Sequence, residues 1–340
     1  MKRTLKATLA MSVISAMFST AALAYDKSIY GSDDRVELFS ATPKISELAD
    51  SVVSFWSSAK VQHDAAANTF SLKTVNFGDT YKLCPGEKFR EQPMGAFCSG
   101  SLVGDDLVVT AGHCITNQAK CDDTKIVFGF ALKDPNGEAT TKMGQEAVYT
   151  CKKIITRFLG SEPGSANPEG QSLGPDYALI QLDRKVTGHK PLAINRKQNL
   201  KKDDKIMVIG HPVGLPLKIA ASASVRDASP KGYFVADLDT FGGNSGSPVF
   251  NSSSNLIEGI LVRGDEDFQS TPAGCTTMAT YPQNGGRGED VTKVSVLESF
   301  IPKSGKESES SETISRDMKT IIEMPEEQED FNRRFEANFQ

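Results

Sequence analysis

Between Ser51 and about Pro302 the chain alternates short apolar runs with turn residues. Val52-Val53-Ser54-Phe55-Trp56, Gly100-Ser101-Leu102-Val103, Leu107-Val108-Val109-Thr110 and Lys125-Ile126-Val127-Phe128 come first. Tyr177 to Leu182, Lys205 to Ile209 and Ile257 to Val262 follow, with Gly, Pro, Asn and Asp between them. Each run has the length of a strand, and many short strands at this spacing predict a sandwich or barrels rather than a parallel α/β sheet. No long helical period competes, and no fixed repeat points to a propeller or solenoid. The expected fold class is therefore all-β. Two stretches read as insertions: residues 57–93 are polar and Ala-rich, and residues 160–175 are rich in Gly, Pro and Ser.

The ends of the chain have a different texture. Lys2, Arg3 and Lys6 precede an apolar or small run from Ala7 to Ala22, and Ala22-Leu23-Ala24 supplies a small-x-small cleavage pattern. Residues 1–24 are thus predicted to be a secretory signal cleaved after Ala24. An uncleaved anchor is disfavoured because the run is short and broken by Ser and Thr. Residues 25–50 read as an N-terminal lead or pro-segment, with Lys27 and Arg35 as candidate cut points. Residues 303–340 form an acidic, polar tail with ten acids and six bases.

Charge narrows the function classes. The 340-residue chain has 38 bases and 43 acids; without the three cations of the head, 35 bases face 43 acids, a net of −8. An acidic surface excludes non-specific nucleic-acid binding, which needs phosphate neutralisation. No segment after the signal has the apolar length of a membrane-spanning helix. A secreted or periplasmic monomer is expected, needing no cofactor and no metal. Its six cysteines (Cys84, Cys98, Cys114, Cys121, Cys151 and Cys275) would then meet an oxidising space and form up to three disulfides. Zinc is the weaker reading, since no CxxC pair occurs and only Cys114 has a neighbouring histidine.

Three segments carry candidate chemistry. Val108 to Cys114 is an apolar strand ending in Ala111-Gly112-His113-Cys114. Asp176 stands at the mouth of the Tyr177–Leu182 run, and Ser245 lies in the turn Gly242-Gly243-Asn244-Ser245-Gly246-Ser247-Pro248. Serine attack on a carbonyl needs a neutral imidazole to take the hydroxyl proton and a carboxylate to fix its tautomer. It also needs backbone N–H groups turned toward the developing oxyanion, which glycines permit. Alone, each segment reads as a turn, a cap or a disulfide site. Their conjunction, in the order His, Asp, Ser at strand ends of an exported β-rich chain, points to nucleophilic catalysis.

Thr110-Ala111-Gly112-His113-Cys114, Asp176-Tyr177-Ala178-Leu179-Ile180 and Gly243-Asn244-Ser245-Gly246-Ser247-Pro248 resemble the three signature blocks of the chymotrypsin-like (trypsin-fold) serine peptidases. Phe97 to Val103 resembles the strand whose cysteine bridges to the one after the family's histidine. Ile29 to Arg35 and Thr240 to Phe250 resemble the bacterial V8-like glutamyl endopeptidase branch. The resemblance spans residues 51–302. It implies two six-stranded antiparallel β-barrels with the active site between them, and protein or peptide substrates. It also implies Ser245 as nucleophile, His113 as general base and then acid, and Asp176 as the orienting carboxylate. The N–H groups of Gly243 and Ser245 would form the oxyanion hole. The other histidines, His63, His189 and His211, are expected to be structural or surface groups.

The same resemblance implies a Cys98–Cys114 disulfide. The other four cysteines allow three pairings; Cys121–Cys151 with Cys84–Cys275 is preferred because the first closes a short loop within one barrel. Asn244 replaces the aspartate that binds a new N-terminus in trypsin, as in the V8-like branch. Asp239 falls at the position of trypsin's pocket-floor carboxylate, and Thr240 at a threonine used by glutamyl peptidases. The substrate-binding strand Leu261-Val262-Arg263-Gly264 lacks the histidine of the glutamyl enzymes. Val262 replaces a serine that supports trypsin's catalytic aspartate, and Arg263 stands within reach of Asp239 or of an acidic substrate residue. These positions favour cleavage after Arg or Lys. The alternatives are a Glu-specific V8-like endopeptidase and a catalytically silent homologue acting as a binding protein.

Overall fold

The apolar runs become the staves of two barrels. The computed structural model describes residues 28–160, 174–197 and 199–303. The expected signal of residues 1–24, the start of the lead, residues 161–173 and all of the tail beyond Lys303 lie outside the described residues. The first barrel comprises β1 (Val52–Ser57), β2 (Cys98–Leu102), β3 (Leu107–Thr110), β4 (Thr124–Phe128), β5 (Val148–Leu159) and β6 (Asp176–Leu182). It closes in the order β4-β5-β6-β3-β2-β1, every neighbouring pair antiparallel.

The second barrel comprises β7 (Lys205–Gly210), β8 (Lys218–Asp227), β9 (Tyr233–Ala236), β10 (Pro248–Asn251), β11 (Ile257–Arg263) and β12 (Glu289–Lys293). Its order is β7-β10-β11-β12-β9-β8, with β8 pairing back to β7. Strand β9 shows the period of two expected of a strand with one face inward: Phe234 and Ala236 are buried, Tyr233 and Val235 half-buried. Strand β11 is buried throughout because its two faces serve different cores. Leu261 packs among Val208, Phe234 and Val249 of the second barrel. Ile260 and Val262 belong to a continuous cluster with Met207, Ile209 and the first-barrel residues Phe55, Leu102 and Val108.

The lead and the 57–93 insertion are folded onto this frame. Val36–Glu37 adds a short antiparallel strand to β8, and the Lys218 ammonium meets the Glu37 carboxylate at 3.1 Å in a buried pair. The insertion forms strands Val61–Asp64 and Thr69–Leu72, which pair with each other, the second also pairing with Lys142–Gly144. It continues into a short helix, Phe77–Tyr81, whose Asn76 cap accepts from the Asp79 N–H at 2.9 Å. Its polar composition hides two anchors. Phe77 and Leu83 are buried in a satellite cluster with Ile29, Val213, Leu215, Phe241 and Met278, directly behind the Ser245 turn. Disulfides join Cys84 to Cys275, Cys98 to Cys114 and Cys121 to Cys151. The first ties the insertion to the loop between β11 and β12.

Candidate active site

His113, Asp176 and Ser245 each sit where a barrel strand ends or begins. Register between β6 and β3 pairs Ala178 with Thr110, so Asp176 reaches the turn just beyond β3. Its carboxylate is fully buried. Oδ1 accepts from the Gly112 N–H at 2.6 Å and the His113 N–H at 3.1 Å, while Oδ2 lies 2.6 Å from His113 Nδ1. An ionised carboxylate only accepts, so this contact puts the imidazole proton on Nδ1 and leaves Nε2 basic. Gly112 is required by space: a Cβ there would lie 2.7 Å from the Tyr177 carbonyl. Val262 offers no hydroxyl to Asp176, and its side chain is part of the apolar seam. The two backbone N–H groups supply the support instead, and Thr292 Oγ1 brackets the Asp176 main chain, donating to its carbonyl at 2.9 Å and accepting from its N–H at 3.0 Å.

The Ser245 turn is held by main-chain bonds to both barrels. Ser99 N–H donates to the Ser245 carbonyl at 2.9 Å, and Gly246 N–H to the Leu261 carbonyl at 2.7 Å. Asn244 is buried, its Oδ1 accepting from Ser247 Oγ at 3.3 Å, so position 244 is satisfied without a charge. Gly243 has φ +82°, in the region that glycine adopts without steric cost. Val213 N–H donates to the Gly242 carbonyl at 2.5 Å. Carbonyl and N–H point in opposite directions across a trans peptide, so the Gly243 N–H is turned away from Val213. The Gly243 carbonyl accepts from Ser99 Oγ at 2.9 Å, and that hydroxyl accepts from the His211 N–H at 2.9 Å.

His211 is the core histidine behind this network. Its ring stacks on Phe130, its Nδ1 donates to the Leu215 carbonyl at 3.0 Å, and burial pushes its pKa down to about 3. The folded protein keeps the ring neutral, whereas the unfolded chain takes up a proton near pH 6.5. Stability from this group is thus fully present above pH 6.5 and is lost as pH falls toward 3. The thermal midpoint of the wild type should drop more steeply over that window than that of His211→Gln; parallel melting curves would remove His211 as the cause. His189 contacts Asp50 Oδ2 at 2.9 Å through Nδ1, and His63 stacks on Phe70. Because Cys98 and Cys114 beside His113 are joined, neither offers a thiolate to a metal.

The specificity residues fall differently from the sequence expectation. Asp239 is buried, and its two carboxylate oxygens accept from the N–H groups of Tyr30 at 2.8 Å and Asp34 at 2.9 Å. Burial raises its pKa to about 7. It therefore anchors the lead. Arg263 does not pair with Asp239: its Nε donates to Asp290 Oδ2 at 2.8 Å and its Nη2 to the Gly174 carbonyl at 2.8 Å. Leu261 and Val262 turn into the two cores. Thr240 and Gly264 instead converge on Glu289, which the sequence reading missed. Thr240 Oγ1 donates to Glu289 Oε2 at 2.9 Å, and Gly264 leaves room where a Cβ would strike the Glu289 carboxylate. Tyr30 OH at 3.2 Å and Ser28 N–H at 3.3 Å donate to Glu289 Oε1. After Gly285-Gly286-Arg287-Gly288, an acid opening a strand looks like a surface cap, which is why it gave no signal.

Residues 98–259 match a family model described as a trypsin-like peptidase domain. Exfoliative toxin A of Staphylococcus aureus is 29% identical over 166 residues, 47% of this chain and 54% of the toxin. A glutamyl endopeptidase of Staphylococcus epidermidis is 27% identical over 186 residues, 52% of this chain and 58% of that protein. The chain thus spans about half the length of the curated relatives it matches. The solved structure of the VesB protease of Vibrio cholerae superposes at a TM-score of 0.46 and 16% identity, covering 78% of this chain and 65% of that one.

Proposed function

We propose that this chain is a serine endopeptidase working through an acyl-enzyme, a reading supported by the match of residues 98–259 to a trypsin-like peptidase domain model. The observation that carries this reading is the Asp176–His113 contact of 2.6 Å in a turn disulfide-linked and packed against the Ser245 segment. Ser245 Oγ attacks the scissile carbonyl while His113 Nε2 takes its proton. Asp176 stabilises the imidazolium that forms. The Gly243 and Ser245 N–H groups receive the negative charge developing on the carbonyl oxygen. His113 then returns the proton to the leaving amine, and water, activated by the same imidazole, releases the acyl group. A serine-directed fluorophosphonate should label Ser245 stoichiometrically. A folded protein that stays unlabelled would instead be a silent homologue acting by binding. The three disulfides fit an exported protein in an oxidising compartment.

Cleavage after Arg or Lys is the favoured specificity, with Glu289 in the role first assigned to Asp239. Thr240 lies on the segment leading to the nucleophile and Gly264 ends the substrate-binding strand. Glu289 lies fully buried where the two meet, its carboxylate held by Thr240, Tyr30 and Ser28, so a cationic side chain would pair with it by displacing one of these donors. Such a buried acid favours a cationic side chain and rejects an anionic one. In a peptide-library profile, Glu289→Gln should lower the preference for Arg and Lys on the order of 100-fold, the effect of leaving a buried ion-pair partner uncompensated. Asp239→Ser should leave that preference in place, because both of its oxygens serve the lead. The second reading, cleavage after Glu, is favoured by Thr240 and by relatives named glutamyl endopeptidases. A wild-type profile dominated by Glu at P1 would select it.

A further inference from the structure

We propose that Asp267 is a positioning residue for the oxyanion hole, an inference that rests on the serine-peptidase reading above. Three successive peptide units lead from Phe241 to Asn244, and each is pinned by a different part of the chain. Asp267 Oδ2 accepts from the Gly242 N–H at 2.8 Å, fixing the 241–242 unit. Val213 N–H holds the Gly242 carbonyl, fixing the 242–243 unit, and Ser99 Oγ holds the Gly243 carbonyl, fixing the 243–244 unit. Of these pins, Ser99 lies on β2, Val213 in the Pro212–Gly214 turn between β7 and β8, and Asp267 in the long loop between β11 and β12.

Asp267 is itself held firmly. It is about nine-tenths buried, and its carbonyl accepts from the Ala279 N–H at 2.9 Å. The next residue, Phe268, stacks on Phe241 at 5.2 Å between ring centres and packs against Tyr81 at 4.6 Å. Phe268–Ser270 pairs with Thr276–Met278 in a hairpin that Cys275 staples to Cys84 of the insertion. Gly242 completes the fit, because a Cβ there would lie 3.0 Å from Asp267 Oδ2.

The consequence for catalysis follows from peptide geometry. Rotation of the 242–243 unit would carry the Gly243 N–H out of the site and swing the Gly242 carbonyl toward it, setting an acceptor where a donor is needed. That rotation turns ψ of Gly242 and φ of Gly243 about their Cα atoms, and the Asp267 bond to the Gly242 N–H holds the Gly242 Cα from which the 242–243 unit projects. On the opposing side, Val213 holds a φ of +46°, which is costly for a β-branched residue.

The test compares wild type, Asp267→Ala and Asp267→Asn in the full chain with its disulfides intact. In Asp267→Ala, kcat should fall about 100-fold, the effect of losing one oxyanion donor, with KM within about twofold because substrate contacts are untouched. Affinity for a peptide aldehyde, which forms a tetrahedral adduct, should weaken in step with kcat. Asp267→Asn keeps an acceptor oxygen and should recover most of the lost kcat. A folded Asp267→Ala variant with kcat near wild type overturns the proposal, as does a loss confined to KM. Should the alanine variant fail to fold, the asparagine variant decides: a large loss of kcat in the folded protein overturns the proposal, and retained kcat and aldehyde affinity support it. Wild type that neither turns over nor reacts with fluorophosphonate overturns the peptidase reading itself, an outcome distinct from either variant result.

Discussion

Ser245→Ala should reduce kcat on a peptide substrate by on the order of a millionfold, the loss seen when a serine-peptidase nucleophile is removed. The fold should survive, since the turn is held by groups alanine retains. These are the Ser245 carbonyl bonded to Ser99 N–H and the Gly246 N–H bonded to the Leu261 carbonyl. Steady-state kinetics beside a thermal melt and circular dichroism separate the two effects. A folded variant turning over within tenfold of wild type would remove Ser245 from the mechanism. The substitution also removes the atom a fluorophosphonate attacks, so loss of labelling should accompany loss of turnover.

Asp176→Asn should cost about 10⁴-fold in kcat, for a reason readable in its contacts. The two main-chain donors, Gly112 N–H and His113 N–H, converge on one oxygen, and an asparagine would keep its own oxygen there. Its Nδ2 must then face His113 Nδ1, the atom 2.6 Å from the carboxylate in the wild type. Two donors cannot share that contact, so the imidazole proton moves to Nε2, the tautomer unable to accept from serine. Nitrogen-detected NMR of His113 should show this shift while the melting curve changes little. A kcat loss below tenfold would mean that the carboxylate does not control the imidazole.

How much was legible in the chain depended on how local each signal was. Leu107–Thr110 and Tyr177–Leu182 are dense apolar runs bounded by turn residues, and both form strands of the first barrel. His113, Asp176 and Ser245 announce themselves because their neighbours are dictated locally: small residues where backbones approach, glycines where φ turns positive. Asp239, Glu289 and Asp267 are three acids that no local pattern separates. Their contacts come from Tyr30, Thr240 and Gly242 respectively, partners at sequence separations of 209, 49 and 25 residues. Arg263 is a similar case, meeting Asp290 across a strand pair instead of Asp239. Phe77 and Leu83 were hidden by the polar composition around them, although burial is decided residue by residue and not by a segment's average.

Strand β11 carries a consequence for engineering. Its alternate side chains belong to separate interiors, Leu261 to one and Ile260 with Val262 to the other. A chimera that took its C-terminal half from a relative would import a strand cut to fit a foreign N-terminal half. Met207, Ile209, Ile260 and Val262 would meet side chains they were never shaped against, and mismatched interiors cost about 1–3 kcal/mol for each overpacked position. Recombination with such relatives should therefore succeed with loops, such as the one bearing Asp267, exchanged on an unaltered pair of barrels, and fail with whole barrels traded as modules.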